Sequence, residues 1–298
     1  MNIKRIITLS AIAIFLILAS IWMGRVSYSW FPPQASAEAI LYDDLFSILT
    51  GIGTFIFLGV TLAIFYNIIF NRVGRYDTSD GPPIEGNIKL EIIWTAIPLF
   101  IVIGLAIISY QTYDKMDLHG PTELAHLPQV MDSAYADTGI TEALMTNVEV
   151  DSKQWAWVFR YPEKNVTSTE LHLPVNQRAH FELQSQDVIH GFFIPAFRVK
   201  QDIIPAKTID FEFTPIREGK YRLRDSQYSG TYFAAMQADV VVESIEEYES
   251  WLSAAAKQTP TPAPNQAASE YARRQQKSDS AGWKTVVPAP APMVNYHK

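Results

Sequence analysis

The chain reads as a membrane-anchored β protein in which N-terminal transmembrane helices precede an external β-sandwich of Greek-key type. Three observations predict this class. Ile6 to Met23, Phe46 to Phe70 and Ile92 to Tyr110 carry no charged side chain, and each is about long enough to cross a roughly 30 Å hydrocarbon core as a helix. From Thr146 to Tyr161 the aromatic residues Trp155, Trp157, Phe159 and Tyr161 alternate with small or polar ones, the period of a strand with one buried face. Alternation returns at Phe181 and Leu183 and at Ile209, Phe211 and Phe213, and Val240 to Val242 suits a closing strand. Short strands separated by Pro, Gly and Asn turns favour a sandwich over a helical domain.

Taken in order, residues 1–30 are a transmembrane helix or signal-anchor, 44–112 a transmembrane hairpin, 113–145 a connector, 146–256 the external domain and 257–298 a tail. The first span has two readings. Lys4 and Arg5 before an apolar run also describe a secretory signal, and Ala35, Ser36 and Ala37 form a small-residue cleavage pattern. Retention is favoured, because the apolar run is longer than most signal cores and the pattern lies well beyond it, past Arg25 and the Pro32, Pro33 pair. Gly120, Pro121, Pro128 and Gly139 among scattered charges mark the connector. Glu246 to Ala256 reads as a short helix. From Lys257 the runs Thr-Pro-Thr-Pro-Ala-Pro and Pro-Ala-Pro-Ala-Pro predict disorder, since such a composition buries too little apolar surface to offset ordering entropy.

Basic residues in short loops mark the cytoplasmic side. Lys4 and Arg5 precede the first span, and Arg72, Arg75 and Lys89 lie between the second and third, which places everything after Tyr110 outside. The net charge of −7 and the run Glu243, Glu246, Glu247 and Glu249 form a solvated surface that offers nothing to nucleic acid. The 298 residues include no cysteine, which excludes disulfides, thiolate metal sites and cysteine-linked lipid anchors.

Three segments carry a more specific signal. Asn87 to Pro98, reading Asn-Ile-Lys-Leu-Glu-Ile-Ile-Trp-Thr-Ala-Ile-Pro, resembles the start of the second hairpin helix of the cytochrome c oxidase subunit II family. Gln154-Trp155-Ala156-Trp157, with Tyr161-Pro162 behind it, is similar to that family's aromatic strand. Asp187-Val188-Ile189-His190-Gly191-Phe192-Phe193-Ile194-Pro195, continuing to Lys200, Asp202 and Pro205, resembles its first copper-ligand loop. The resemblance runs in order from about residue 45 to residue 245.

It implies that the external domain is a cupredoxin-like sandwich, whose second loop in the family carries two cysteines, a glutamate, a histidine and a methionine that complete a binuclear copper site. The matching segment here is Gly219 to Met236. Without a gap, the bridging cysteines fall on Asp225 and Ser229, the glutamate on Gln227, the second histidine on Phe233 and the methionine on Met236. Only His190 and Met236 keep the family's residue types. A copper pair needs soft thiolates to bridge it, which a carboxylate and a hydroxyl cannot replace, and Phe233 offers no ligand atom. The resemblance thus implies a chain without its own cofactor, the haems and active-site copper belonging to subunit I.

Alternative roles stay open at several positions. His190 and Met236 with Asp225 form a conceivable weak mononuclear copper site, or else a hydrogen-bonded loop histidine and a gap-filling core methionine. Trp155 matches the position at which copper-bearing members receive electrons from a soluble cytochrome, and it also suits packing in an aromatic strand. Glu91, just before an apolar span, is an interfacial anchor or, as the resemblance implies, the mouth of a proton-uptake channel into subunit I. Lys200 and Asp202 either orient loops against subunit I or form a solvated pair.

The expected function is therefore that of a non-catalytic subunit II in a haem-copper terminal oxidase. It works beside subunit I and subunit III in a bacterial plasma or thylakoid membrane and is fed by quinol. The Tyr-Ser-Gly-Thr-Tyr-Phe loop and the first span resemble cyanobacterial alternative oxidases more than bo-type quinol oxidases. Two competing readings are an oxidase that takes electrons from cytochrome c or a blue-copper protein through an altered copper site, and a copper-handling assembly protein. The second would carry Met or His clusters, whereas the 6 histidines and 7 methionines here are scattered.

Overall fold

The computed structural model describes residues 3–72, 74, 76, 86–116, 118, 145–276 and 285–297. They form two compact units, Met1–Phe31 with Leu41–Asp114, and Pro32–Ile40 with Lys115–Lys298. The first is helical: α1 (Ile3–Ser27), α2 (Ala37–Phe70) and α3 (Ile88–Met116) are each long and apolar enough to cross a membrane. All three extend past the charge-free runs at one end or both. At α3, Asn87 Oδ1 accepts the backbone N–H groups of Lys89 (3.1 Å) and Leu90 (3.3 Å), which satisfies donors that a helix start leaves free. α3 then runs to Met116, into the stretch expected to be connector. Most of that stretch lies outside the described residues, as does Arg75.

Small residues bring α1 and α2 together. A methyl group on Gly24 would sit 2.9 Å from Ser47 O, and Ser47 Oγ donates to Gly24 O at 2.8 Å, the close backbone approach that small residues permit in membrane helices. Tyr28 donates to Asp44 Oδ1 at 2.7 Å, and Phe46 meets the ring of Phe31 edge-on at 4.9 Å. No side chain of α3 is buried. An apolar helix exposed all round is suited to lipid and to neighbouring subunits.

The external unit is a sandwich of two five-stranded sheets. One sheet has the order β3-β2-β1-β5-β8, from Val166–Ser168, Ala156–Tyr161, Thr146–Lys153, Ala179–Ser185 and Ile209–Phe213. The other has the order β4-β10-β9-β6-β7, from Leu171–Pro174, Gln237–Glu243, Gly219–Asp225, His190–Ile194 and Val199–Ile203. β1 pairs with β5 in parallel, and β10 with β4 likewise. The alternating residues meet between the sheets: Phe159, Phe181, Phe192, Phe211 and Phe213 are all fully buried, each contributing roughly 1.5–3 kcal/mol relative to exposure. This is the cupredoxin-like sandwich that the sequence leads one to expect.

Two details differ from the sequence reading. The run Thr146 to Tyr161 is two antiparallel strands, since Lys153 pairs with Ala156 and the chain turns at Gln154 and Trp155. Alternation passes unbroken through so tight a turn. After the capping box of Ser244 and Glu247 starts α4 (Ile245–Ala255), the described residues of the expected disordered tail include regular elements. β11 (Thr261–Pro262) pairs with β12 (Met293–Val294), and α5 spans Gln266–Gln276. Ala263, Ala267 and Val294 are buried. Asn295 Oδ1 accepts from Thr167 N at 2.9 Å, and Tyr296 bonds to Thr167 and Thr169 along the open edge of β3. Pairing to a sheet edge is a tertiary gain that composition does not register.

Candidate functional site

The loops between β5 and β6 and between β9 and β10 converge at one end of the sandwich, and they bring together most of the residues singled out in the sequence. His190 opens β6 and is fully buried. Its Nδ1 lies 2.8 Å from Asp225 Oδ2 and its Nε2 lies 3.0 Å from Asp187 Oδ1. A carboxylate on each side favours the protonated ring, in which both nitrogens donate and no lone pair faces a metal. Burial alone would pull the pKa of His190 down, but the hydrogen bonds and charges of Asp225 and then Asp187 outweigh it and hold it above the ordinary imidazole value.

Asp225, the last residue of β9, is the hub. Besides His190, its carboxylate accepts Gly191 N (2.8 Å), Gln227 N (3.0 Å) and Ser229 Oγ (2.7 Å). Burial pushes its carboxyl up, but the bonds from His190, Ser229 and the two backbone amides prevail and hold the pKa below the usual value. Gly191 must stay bare for the loops to meet: a side-chain carbon there would collide with Ser226 and sit 2.9 Å from Gln227 N.

Trp155 is tied to the same network. Its indole N–H points at Ser229 O and Oγ, both at 3.1 Å, and Tyr232 meets its ring edge-on at 5.1 Å. It is buried at the hairpin turn, held by the second loop and outside the flanking strands. Gln227 donates through Nε2 to Asp202 Oδ2 at 2.7 Å. Lys200 pairs with Asp202 at 2.8 Å. Met236 is buried, with its carbonyl accepting Asp225 N and Trp157 Nε1. Phe233 stands apart in a short 3-10 turn, half-buried against Tyr228 at 5.4 Å.

Sequence reasoning missed Asp187, which holds His190 and also accepts Gln154 N at 2.8 Å. The available signal was its spacing three residues before the histidine. Glu91 lies in the other unit, exposed in the first turn of α3, with its carboxylate folded back over Gly86.

These side chains do not fit a binuclear copper centre. Asp225 and Ser229, at which the resemblance implies bridging thiolates, present a carboxylate and a hydroxyl that bond to each other, and both nitrogens of His190 are engaged. Among the described residues no group of three or more His, Asp or Glu side chains is arranged to hold a metal ion.

Comparison with known proteins supplies the lineage. Residues 7–112 match the family model of the cytochrome c oxidase subunit II transmembrane domain, and residues 165–245 match that of its periplasmic domain. Cytochrome c oxidase subunit 2 of Synechocystis sp. is 32% identical over 82% of this chain and 80% of its own length. The corresponding protein of Thermostichus vulcanus is 35% identical over 78% of this chain and 80% of its own. Quinol oxidase subunit 2 of Bacillus subtilis is 29% identical over 72% of this chain and 63% of its own. With a transmembrane and a periplasmic family model matched in chain order, on a helical anchor and an external cupredoxin-like sandwich, the chain belongs to the cytochrome c oxidase subunit II family.

Proposed function

We propose that this subunit II serves a haem-copper terminal oxidase that takes its electrons from quinol and that the subunit itself carries no copper. One observation carries the reading: the carboxylate of Asp225, where a bridging thiolate would stand, is saturated by His190, Ser229, Gly191 and Gln227. A water-soluble donor needs an acceptor near the outer surface, and without one an electron would have to tunnel across the whole sandwich. Quinol dissolves in the membrane and meets the partner subunit directly. Relatives named as cytochrome c oxidase and as quinol oxidase subunits both match this chain, so the choice rests on these residues. The chain then serves as docking surface for subunit I and, beside it, subunit III.

Oxygen consumption by the purified complex decides the matter. Turnover is expected with quinol and not with reduced cytochrome c or plastocyanin, and metal analysis should find only the copper of subunit I. Brisk turnover with a soluble donor and none with quinol would overturn the reading.

Glu91 is proposed to feed protons from the cytoplasmic side. A carboxylate in the first turn of a transmembrane helix exchanges protons with water while presenting charge to a neighbouring channel. Glu91→Ala should slow turnover with assembly and haem content intact, and Glu91→Asp should keep part of the rate. A normal rate for the alanine variant in sealed vesicles would leave Glu91 as an interfacial anchor.

A further inference from the structure

We propose that Ala35-Ser36-Ala37, which has the composition of a signal-peptidase site, is instead a built-in edge segment of the external domain, and that the chain is not cut there. Pro32–Ile40 belongs to the same compact unit as the sandwich. Ala35, Ser36 and Ala39 are fully buried, and Glu38 is 3% exposed. The backbone is bonded as an added strand would be: Ala35 N to Ala196 O at 3.1 Å, Ile216 N to Ala35 O at 2.9 Å and Ala37 N to Thr214 O at 3.0 Å.

Side chains complete the seam. Ser36 Oγ donates to Phe197 O at 2.9 Å and accepts Ala39 N at 3.1 Å, so one hydroxyl serves both the sandwich and the first turn of α2. The carboxylate of Glu38 accepts Thr214 N with both oxygens, at 3.1 and 3.2 Å. Arg178 lies 3.9 Å from that carboxylate and donates to Glu212 at 2.6 Å, while Arg198 donates to Pro32 O at 2.7 Å.

The small residues therefore have a steric reason that owes nothing to a peptidase. At Ala35 the methyl group is fully buried, and at Ser36 a short hydroxyl caps a helix and reaches a carbonyl at once. A peptidase acts on an extended chain before folding, so burial does not by itself protect the bond; the cut product is what the fold disfavours. A chain starting at Glu38 would lose Ala35, Ser36 and Ala37 and leave Ala196 O, Phe197 O, Thr214 O and Ile216 N without these partners. Buried backbone groups left unpaired are among the costlier defects a fold can carry.

The test uses the intact oxidase purified from membranes. N-terminal sequencing and intact mass should show subunit II still containing the bond between Ala37 and Glu38. Ala37→Leu, which places a large residue where the peptidase requires a small one, should leave the chain length unchanged. A parent chain beginning at Ser36, Ala37 or Glu38, together with a longer Ala37→Leu chain, would overturn the proposal. The structural half is tested separately by Ser36→Ala, which deletes two hydrogen bonds without adding bulk and should lower the thermal midpoint of the external domain by about 4 °C. An uncut chain whose midpoint is unmoved by Ser36→Ala would show that the segment is not an edge of the sandwich.

Discussion

Two buried histidines of the external domain each sit beside two carboxylates, yet they are held in different ways. His190 has both ring nitrogens bonded, at 2.8 and 3.0 Å, and its main partner Asp225 is wholly buried. His172, on β4, bonds Glu243 at 2.9 Å through Nδ1, while its Nε2 has no hydrogen-bond partner and lies 3.5 Å from Glu170. Its ring is stacked on Trp251 at a centroid distance of 3.8 Å, with Tyr296 edge-on at 5.6 Å. The first site is an ionic network built on a dry hub, His190 and Asp225, with every polar atom of that pair's side chains engaged and Asp187 at its water-facing edge. The second is an aromatic clamp whose carboxylates keep some contact with water. A histidine with two acids is thus no constant unit: its energetics follow from how completely each polar atom is answered.

The largest expected effect lies at Asp225. A buried ion pair adds little net stability over an apolar replacement, but removing one member strands the other. Asp225→Ala leaves the His190 cation with a single partner and takes the acceptor from Gly191, Gln227 and Ser229, so it should cost about 3–5 kcal/mol. His172→Ala forfeits a stacked ring pair and one bond beside partly hydrated acids, which should cost about 1–2 kcal/mol. Denaturant titration of the full chain in detergent, followed by tryptophan fluorescence, compares the two directly. Equal losses would mean that the two sites are held alike.

How much of this was legible beforehand differs by region. The spans were plain because a charge-free apolar run of membrane length is rarely tolerated in a domain surrounded by water. The core strands were plain because Phe181, Phe211 and Phe213 alternate with polar neighbours. At the loop site the sequence supplied His190 as a retained ligand position and Asp225 and Ser229 as replaced ones, but not as one another's partners, since that depends on how closely Gly191 lets the loops approach. Asp187 opens the quoted loop motif, but its bond to His190 within that same loop was not read from the three-residue spacing. The tail misled because Pro- and Ala-rich segments lack side chains to bury, while the hydrogen bonds of Asn295 and Tyr296 to β3 come from a sheet edge far away in the chain.

A smaller effect separates the ionic site from its surroundings by pH. The folded-state pKa of His190 is raised above its ordinary 6.5, so its contribution is complete below that value and is lost as pH rises through the raised one. Asp225 is shifted the other way from 3.8, so its contribution is present above that value and is lost as pH falls through the lowered one. The network should therefore support the fold fully between the two ordinary values and weaken on the alkaline side first. The loss is smaller than in Asp225→Ala because the carboxylate keeps its amide and hydroxyl donors. Urea midpoints at neutral and alkaline pH should converge for His190→Gln and separate for the parent chain; an identical alkaline loss in both would place the titrating group elsewhere.

The smallest effect is expected at Met236, where the question is whether the one retained sulfur acts as a ligand or as filling. Met236 is 1% exposed, and the interactions that tie it to the site run through its backbone: its carbonyl accepts Asp225 N at 3.1 Å and Trp157 Nε1 at 3.3 Å. A leucine keeps those bonds and nearly the same volume, and such swaps in a core usually cost less than about 1.5 kcal/mol. A sulfur that only fills space is replaceable by a branched hydrocarbon, whereas a sulfur bound to copper is not, because the thioether supplies the ligand bond. Met236→Leu should accordingly leave the copper-to-haem ratio and the quinol turnover of the purified oxidase at parental values, with a slightly lower unfolding midpoint. Loss of copper from the variant, matched by the same loss in His190→Ala, would assign the thioether to a metal and make the loop site a copper site after all.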